Sequence, residues 1–322
     1  MQDETRHEVS GERMARALED ISRRTRSRWY DMRYDDPSPA KLQEMQDELL
    51  DHVAARTVED PALDESARSA LRTAAECSLG LLSLGCFPHG DQEILFPLIG
   101  ETLSSEEIAF GDVVELDPEG KAPAARTWID TFETCMVSGL VWEWQKVIGL
   151  LLRNSYASAI HDGVPYSRLN STSDPADLAA MDALCGYLTR ASGHLPRHWP
   201  TVPLCKPDAD ERAQAARRLD AVGPLTRDQR LLRVLLDDDR QAFEQALAAR
   251  LIEHRESLGP DPAPRTLLPL GTLALAALAV QVHGWDLAVR SGYLPLGMLG
   301  SPDALQRAAD ADGNALSHWT AT

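Results

Sequence analysis

The sequence predicts an all-α fold, an irregular multi-helix bundle or array with helical hairpins and little or no sheet. Three observations carry this prediction. Apolar residues recur at helical spacing along most of the chain, helix-start residues precede several of these runs, and too few alternating segments occur to build a large sheet.

Taken in order, "GERMARALEDISRRTRSRWYDMRY" places Met14, Ala17, Leu18, Ile21 and Trp29 on one side, which predicts a single amphipathic helix. A break at Pro37–Pro39 follows. "SPAKLQEMQDELLDHVAARTV" then carries the stripe Leu42, Met45, Leu49 and Val53, with Ser38 and Pro39 suiting a helix start. The next helix begins at Asp64 and becomes apolar all round, so its end should be buried. After "CFPHGD" the pattern weakens; short helices at Ser104–Phe110 and a turn at "LDPEG" are expected. A long buried helix is predicted from about Ala124, broken near Gly139. "DPADLAAMDALCGYLT" has Asp174 as N-cap and Pro175 at the first helical position. Beyond the proline-rich "HLPRHWPTVPLCKPD", one helix should end at Gly223, and a hairpin should follow with Thr226 and Asp239 as caps. "LLPLGTLALAALAVQV" is strongly apolar up to Gln281; at 16 residues, with Pro269 and Gly271, it is shorter than the roughly 20 needed to span a bilayer and predicts a core helix. "DLAVRSGYLPLGML" is expected to be irregular or extended, with a short helix after it.

At 322 residues the chain suits a single helical domain, or two subdomains of about 1–193 and 206–322 joined by the proline-rich connection. The net charge of −18 disfavours nucleic acid and anionic membranes and favours a basic partner. Five cysteines without CxxC spacing, and an amino terminus without an apolar signal region, predict a reduced cytoplasmic protein.

One window breaks the even mixing of charge. "GETLSSEEIAFGDVVELDPEG" carries Glu101, Glu106, Glu107, Asp112, Glu115, Asp117 and Glu119, and no Lys or Arg occurs from Thr73 to Gly120. The window can be a solvated rim, a metal site, or a surface for a basic partner, with Leu103, Ile108 and Phe110 as apolar anchors or as residues that fix it to the core. Other motifs lack a complete chemical set. Asp237–Asp239 has Gln241 and Ala242 where a third metal-ligating acid would stand, so it reads as a polar turn with an N-cap. His194 and His198 are four apart with Cys205 beyond, but Pro196, Pro200 and Pro203 oppose a helix. Glu4-x-x-His7 has half of a di-iron motif in a terminus expected to fray. Cys86 lies near His89 and Asp91, an adjacency that does not establish a nucleophile and its base. Ser38-x-x-Lys41 sits at a helix start, and no GxSxG, Walker or GxGxxG motif occurs. No catalytic residue, metal ligand or cofactor site is therefore assigned. The arginines of "RRTRSRWY" are expected to pair within the protein, and only one of Trp142 and Trp144 can face the core.

The blocks "RWYDMRYDDPSPAKLQEMQDELLDHVAARTVEDPAL", "LSLGCFPHGDQEILFPLIGETLSSEEIAFGD" and "LLPLGTLALAALAVQVHGWDLAVRSGYLPLGML" resemble the immunity protein 49 family of bacterial polymorphic-toxin systems. The resemblance implies a non-enzymatic cytoplasmic protein that binds and neutralises a cognate toxin. The acidic window then becomes the expected partner surface, and a basic nuclease is one toxin it would suit. An all-α metal-dependent enzyme and a helical scaffold without a toxin partner are the competing readings.

Overall fold

Capping chemistry sets the helix boundaries. The N-terminal amphipathic run forms two helices, α1 (Gly11–Leu18) and α2 (Ile21–Tyr34), where its spacing predicts one. Asp20 makes the break: its carboxylate accepts the Arg23 backbone N–H at 3.0 Å and restarts the helix. The Ala17 carbonyl accepts from His52 Nδ1 at 2.9 Å and from the Arg24 guanidinium at 3.3 Å, which satisfies this helix-end acceptor. The computed structural model describes residues 3–35, 38–90, 92–104, 122–143, 147–189, 204–304 and 306–307.

Helix α3 (Pro39–Glu59) starts on Pro39, and α4 (Glu65–Cys86) starts where the Asp64 carboxylate accepts from the Ala67 N–H at 2.8 Å. The two pack extensively as a helical hairpin, with the Cys77 thiol 3.8 Å from the Met45 sulfur. The end of α4 is buried as expected. After it comes an antiparallel hairpin of β2 (Glu93–Phe96) and β3 (Glu101–Ser104), which helical spacing does not foresee. Ile94 and Phe96 alternate inward against α4, and Gly100 turns the chain at φ +67°.

Helix α5 (Ala125–Val137) ends at Gly139, which adopts φ +76° and leads into a 3-10 turn at Leu140–Trp142. Helix α6 (148–161) is α-helical at Ile148–Leu150, π-helical at Leu151–Ala157 and α-helical again at Ser158–His161. The predicted caps hold for α7 (Pro175–Tyr187), α9 (Arg227–Leu236) and α10 (Arg240–Glu256): Asp174, Thr226 and Asp239 each accept backbone N–H groups. Between them, α8 (Ala209–Ala221) opens on a reciprocal Asp208–Glu211 capping box.

The apolar helix α11 (Leu270–Gln281) is buried at every position from Gly271 onward. It packs against α5, α9, α10 and the short α12 (Leu296–Leu299), while the turn at Pro264–Leu267 packs against α3. Elements on both sides of the proline-rich connection thus meet in one cluster of buried side chains from Ile21 to Leu299. The architecture is essentially all-α; the described strands form two two-stranded pairs. Among the described residues no helix is long and apolar enough to cross a membrane.

The amino-terminal segment is held, not frayed. β1 (Asp3–Glu4) pairs in parallel with β4 (Arg290–Ser291). His7 donates its backbone N–H to the Tyr293 hydroxyl at 2.9 Å, and its ring bridges that hydroxyl at 2.7 Å and Thr266 Oγ1 at 3.0 Å.

Candidate functional site

The acidic window enters the described fold through the β2–β3 hairpin. Glu101 opens β3 and faces Arg26 of α2 at 3.4 Å. The same guanidinium donates to the Ile99 carbonyl at 3.2 Å, and the Trp29 indole N–H donates to the Thr102 carbonyl at 3.0 Å. The hairpin is therefore fastened to α2 by an arginine and a tryptophan distant in sequence. This supplies to Glu101 the cation that the local sequence withholds. Leu103 is fully buried, so its role is to fix the strand to the core. Glu106, Glu107, Phe110, Asp112, Glu115, Asp117 and Glu119 lie outside the described residues, as do Asp91, Ile108, Trp144, His194 and His198.

Beside the hairpin, α4, β2 and α6 line a cavity of about 590 Å³. Its walls are mainly apolar: Leu79, Ile94, Leu95, Ile148, Leu151 and Tyr156. Polar groups are few and include Ser83, Gln92 and two carboxylates, buried Glu76 and exposed Glu93. That composition is typical of a ligand-accepting pocket. One wall is the π-helical turn, and Val147 just before α6 holds a left-handed conformation at φ +46° that a β-branched residue adopts only under strain. Phe87 lines the cavity between buried Tyr156, at 5.9 Å between ring centres, and exposed Tyr166, at 5.6 Å. An aromatic row thus runs from the cavity wall to solvent.

The remaining motifs resolve into structural networks. Asp239 caps α10 through the Gln241 and Ala242 N–H groups, Asp237 pairs with Arg233 at 2.6 Å, and Asp238 faces inward at φ +60°. Asp238 accepts from Lys206 at 2.7 Å, Arg212 at 3.1 Å and His283 Nδ1 at 2.7 Å, while His283 Nε2 meets the buried Tyr187 hydroxyl at 2.9 Å. Burial lowers the His283 pKa against the pull of Asp238. The Asp triplet therefore joins α7, α8 and the end of α11. The basic run pairs internally as expected: Arg28 contacts Glu44 at 2.6 Å and both Glu48 oxygens. Cys86 is fully buried, and burial pushes its thiol up to about 12, so it holds no thiolate. Trp142 donates its indole N–H to Gln281 at 2.7 Å.

A second polar cluster lies where α5 meets α9 and α11. Glu133 is 12% exposed and 3.3 Å from Arg126, which also contacts Asp130 at 2.6 Å. Asp228 is held by Arg250 at 2.8 Å and by the Thr272 hydroxyl at 2.8 Å. A Cβ on Gly271 would stand 3.0 Å from both Glu133 Oε1 and Asp228 Oδ2, so the glycine makes room for the two carboxylates. Burial, with Asp130 and Asp228 nearby, raises the Glu133 carboxyl to about 8 despite Arg126. Among the described residues no group of three or more His, Cys, Asp or Glu is placed to hold a metal ion.

Comparison with known families adds what geometry alone does not. A family model described as immunity protein 49 matches residues 60–298. The chain belongs to the immunity protein 49 family. The match begins just before α4 and ends within α12, so it takes in the hairpin, the whole cavity lining and α11. No curated protein and no solved structure matches this immunity protein 49 family member significantly. The acidic window of this family member is legible in its sequence; the cavity is not. The one legible sign was the Ile94/Phe96 alternation ahead of Gly100; closure by the π-helical turn has no counterpart in local periodicity.

Proposed function

We propose that this immunity protein 49 family member binds and neutralises a cognate toxin by direct contact, without catalysis or cofactor, in the cytoplasm. Family membership supports the immunity role, and the −18 charge with a Lys/Arg-free stretch from Thr73 to Gly120 supports a basic toxin, such as a nuclease. In this reading Glu101, Glu106, Glu107, Asp112, Glu115, Asp117 and Glu119 steer the toxin into encounter and occupy the groove where phosphates would sit. Apolar anchors such as Phe110 then set the lifetime of the complex.

The test takes the product of the neighbouring gene as the candidate toxin. Co-expression should protect cells, and the purified pair should form a complex. Neutralising Glu106, Glu107, Asp112 and Glu115 together should slow association by about tenfold at low salt and flatten its salt dependence. An unchanged rate and salt slope would remove the steering mechanism; no protection and no complex would remove the immunity reading.

A further inference from the structure

We propose that the cavity between α4, β2 and α6 is a socket for an apolar side chain of the toxin that carries a positive charge beside it. The inference rests on the immunity reading and gives it a contact site that the acidic window alone does not supply. Three features converge. The first is capacity: about 590 Å³ behind mostly apolar walls accommodates a large aromatic or aliphatic group, the kind of anchor that dominates protein interfaces. The second is charge. Most of the lining comes from the segment that lacks Lys and Arg, its exposed carboxylate is Glu93, and the described lining residues include no Lys, Arg or His. A neutral anchor is accepted, a cation-flanked anchor is favoured, and an anionic one is repelled. The third is access. Glu93 is exposed at the edge, and Phe87 leads outward to exposed Tyr166.

Close packing of the walls argues for a preformed site. Gly80 comes so close to Ile94 that an added Cβ would lie 2.6 Å from its Cδ1 atom, which fixes β2 against α4. On the other wall the π-helical turn sets Ser155 and Tyr156 toward the space. A preformed socket lowers the ordering cost of binding, so its contribution appears chiefly in the dissociation rate.

The experiment has two arms. In the first, phenethylammonium, toluene and phenylacetate are titrated into the full chain, followed by thermal shift and by NMR. The expected order is phenethylammonium, then toluene, then phenylacetate, with about tenfold between the charged extremes. Ser155→Phe should fill the socket and weaken phenethylammonium by at least about tenfold. Glu93→Gln, an exposed change that leaves the walls intact, should narrow the charge discrimination by about threefold. Equal binding of all three probes, or binding that survives Ser155→Phe in a folded variant, would overturn the socket.

In the second arm the same variants meet the toxin. Ser155→Phe should speed dissociation by about tenfold while association stays steered. If Ser155→Phe abolishes probe binding yet leaves toxin dissociation unchanged, the toxin does not occupy the socket, and the immunity function still stands. If the wild-type chain binds no toxin, the immunity reading falls, whatever the probes do.

Discussion

The buried carboxyl of Glu133 should make this protein lose stability as pH rises, and Glu133→Gln should abolish that loss. The side chain is 12% exposed, with Asp130 and Asp228 adding to the burial penalty and Arg126 opposing it at 3.3 Å. Burial pulls Arg126 down as well, but Asp130 and Asp177, joined by Glu133 once it ionises, outweigh it and hold the guanidinium charged. At Glu133 burial wins. The folded carboxyl titrates near 8 against an ordinary 4.5, so between those values the folded state holds a proton that the unfolded state has released. Stability from this group is fully present below about pH 4.5 and is lost as pH rises through about 8. The slope is about 1.4 kcal/mol per pH unit, and the full span sets a ceiling of about 5 kcal/mol. The assay is urea unfolding of wild type and Glu133→Gln at half-unit steps from pH 5 to 9. The difference between the two curves should move in favour of the variant by at least about 2 kcal/mol across that range. A flat difference curve would show that Glu133 ionises as an ordinary surface carboxylate, and the burial argument would fail.

Other outcomes follow from the same structure. Gly100→Ala should cost about 1 kcal/mol through backbone strain at φ +67°, since a Cβ there meets nothing within 4 Å, and Gly100→Asn should recover part of it in thermal unfolding. Asp239→Ala removes the cap on Gln241 and Ala242 and should cost about 1 kcal/mol, whereas Asp237→Ala, which loses a half-exposed carboxylate from an Arg233 that keeps Asp220, should change stability by under about 0.5 kcal/mol. Equal costs would refute the division of labour within the Asp triplet. Burial lowers the pKa values of His7 and His254, so below the ordinary 6.5 the unfolded chain binds protons that the folded chain does not. Amide exchange in residues 5–9 should therefore accelerate between pH 7 and pH 5.5 beyond its intrinsic pH dependence, and His7→Ala should show fast exchange at both pH values.

Helix positions were legible in the sequence because their signals are local. Asp64, Asp174, Thr226 and Asp239 announce their helices within three residues, and the structure places a cap bond at each. The split of the first helix has no local signal because Asp20 lies inside an unbroken apolar stripe, and a cap there competes with helix continuation on nearly equal terms. The β2–β3 hairpin is not legible locally because four-residue strands carry too few alternations to outweigh helical spacing. The pairing of Arg26 with Glu101 and of Asp238 with Lys206, Arg212 and His283 joins residues far apart in the chain. Such pairs are set by packing, which a single sequence does not encode in any local pattern. The cavity is the extreme case, since it is a space left by three elements.

The burial of α11 has a consequence for synthesis. The helix packs against α5, more than a hundred residues earlier in the chain, and the turn before it packs against α3. A ribosome delivers these surfaces in order, so α3 and α5 can pack on α4 early, but the parts of them that face residues 264–281 stay open until that segment emerges. Translation halted before Leu270 therefore leaves that surface uncovered, and the fold closes only once residue 281 has been made.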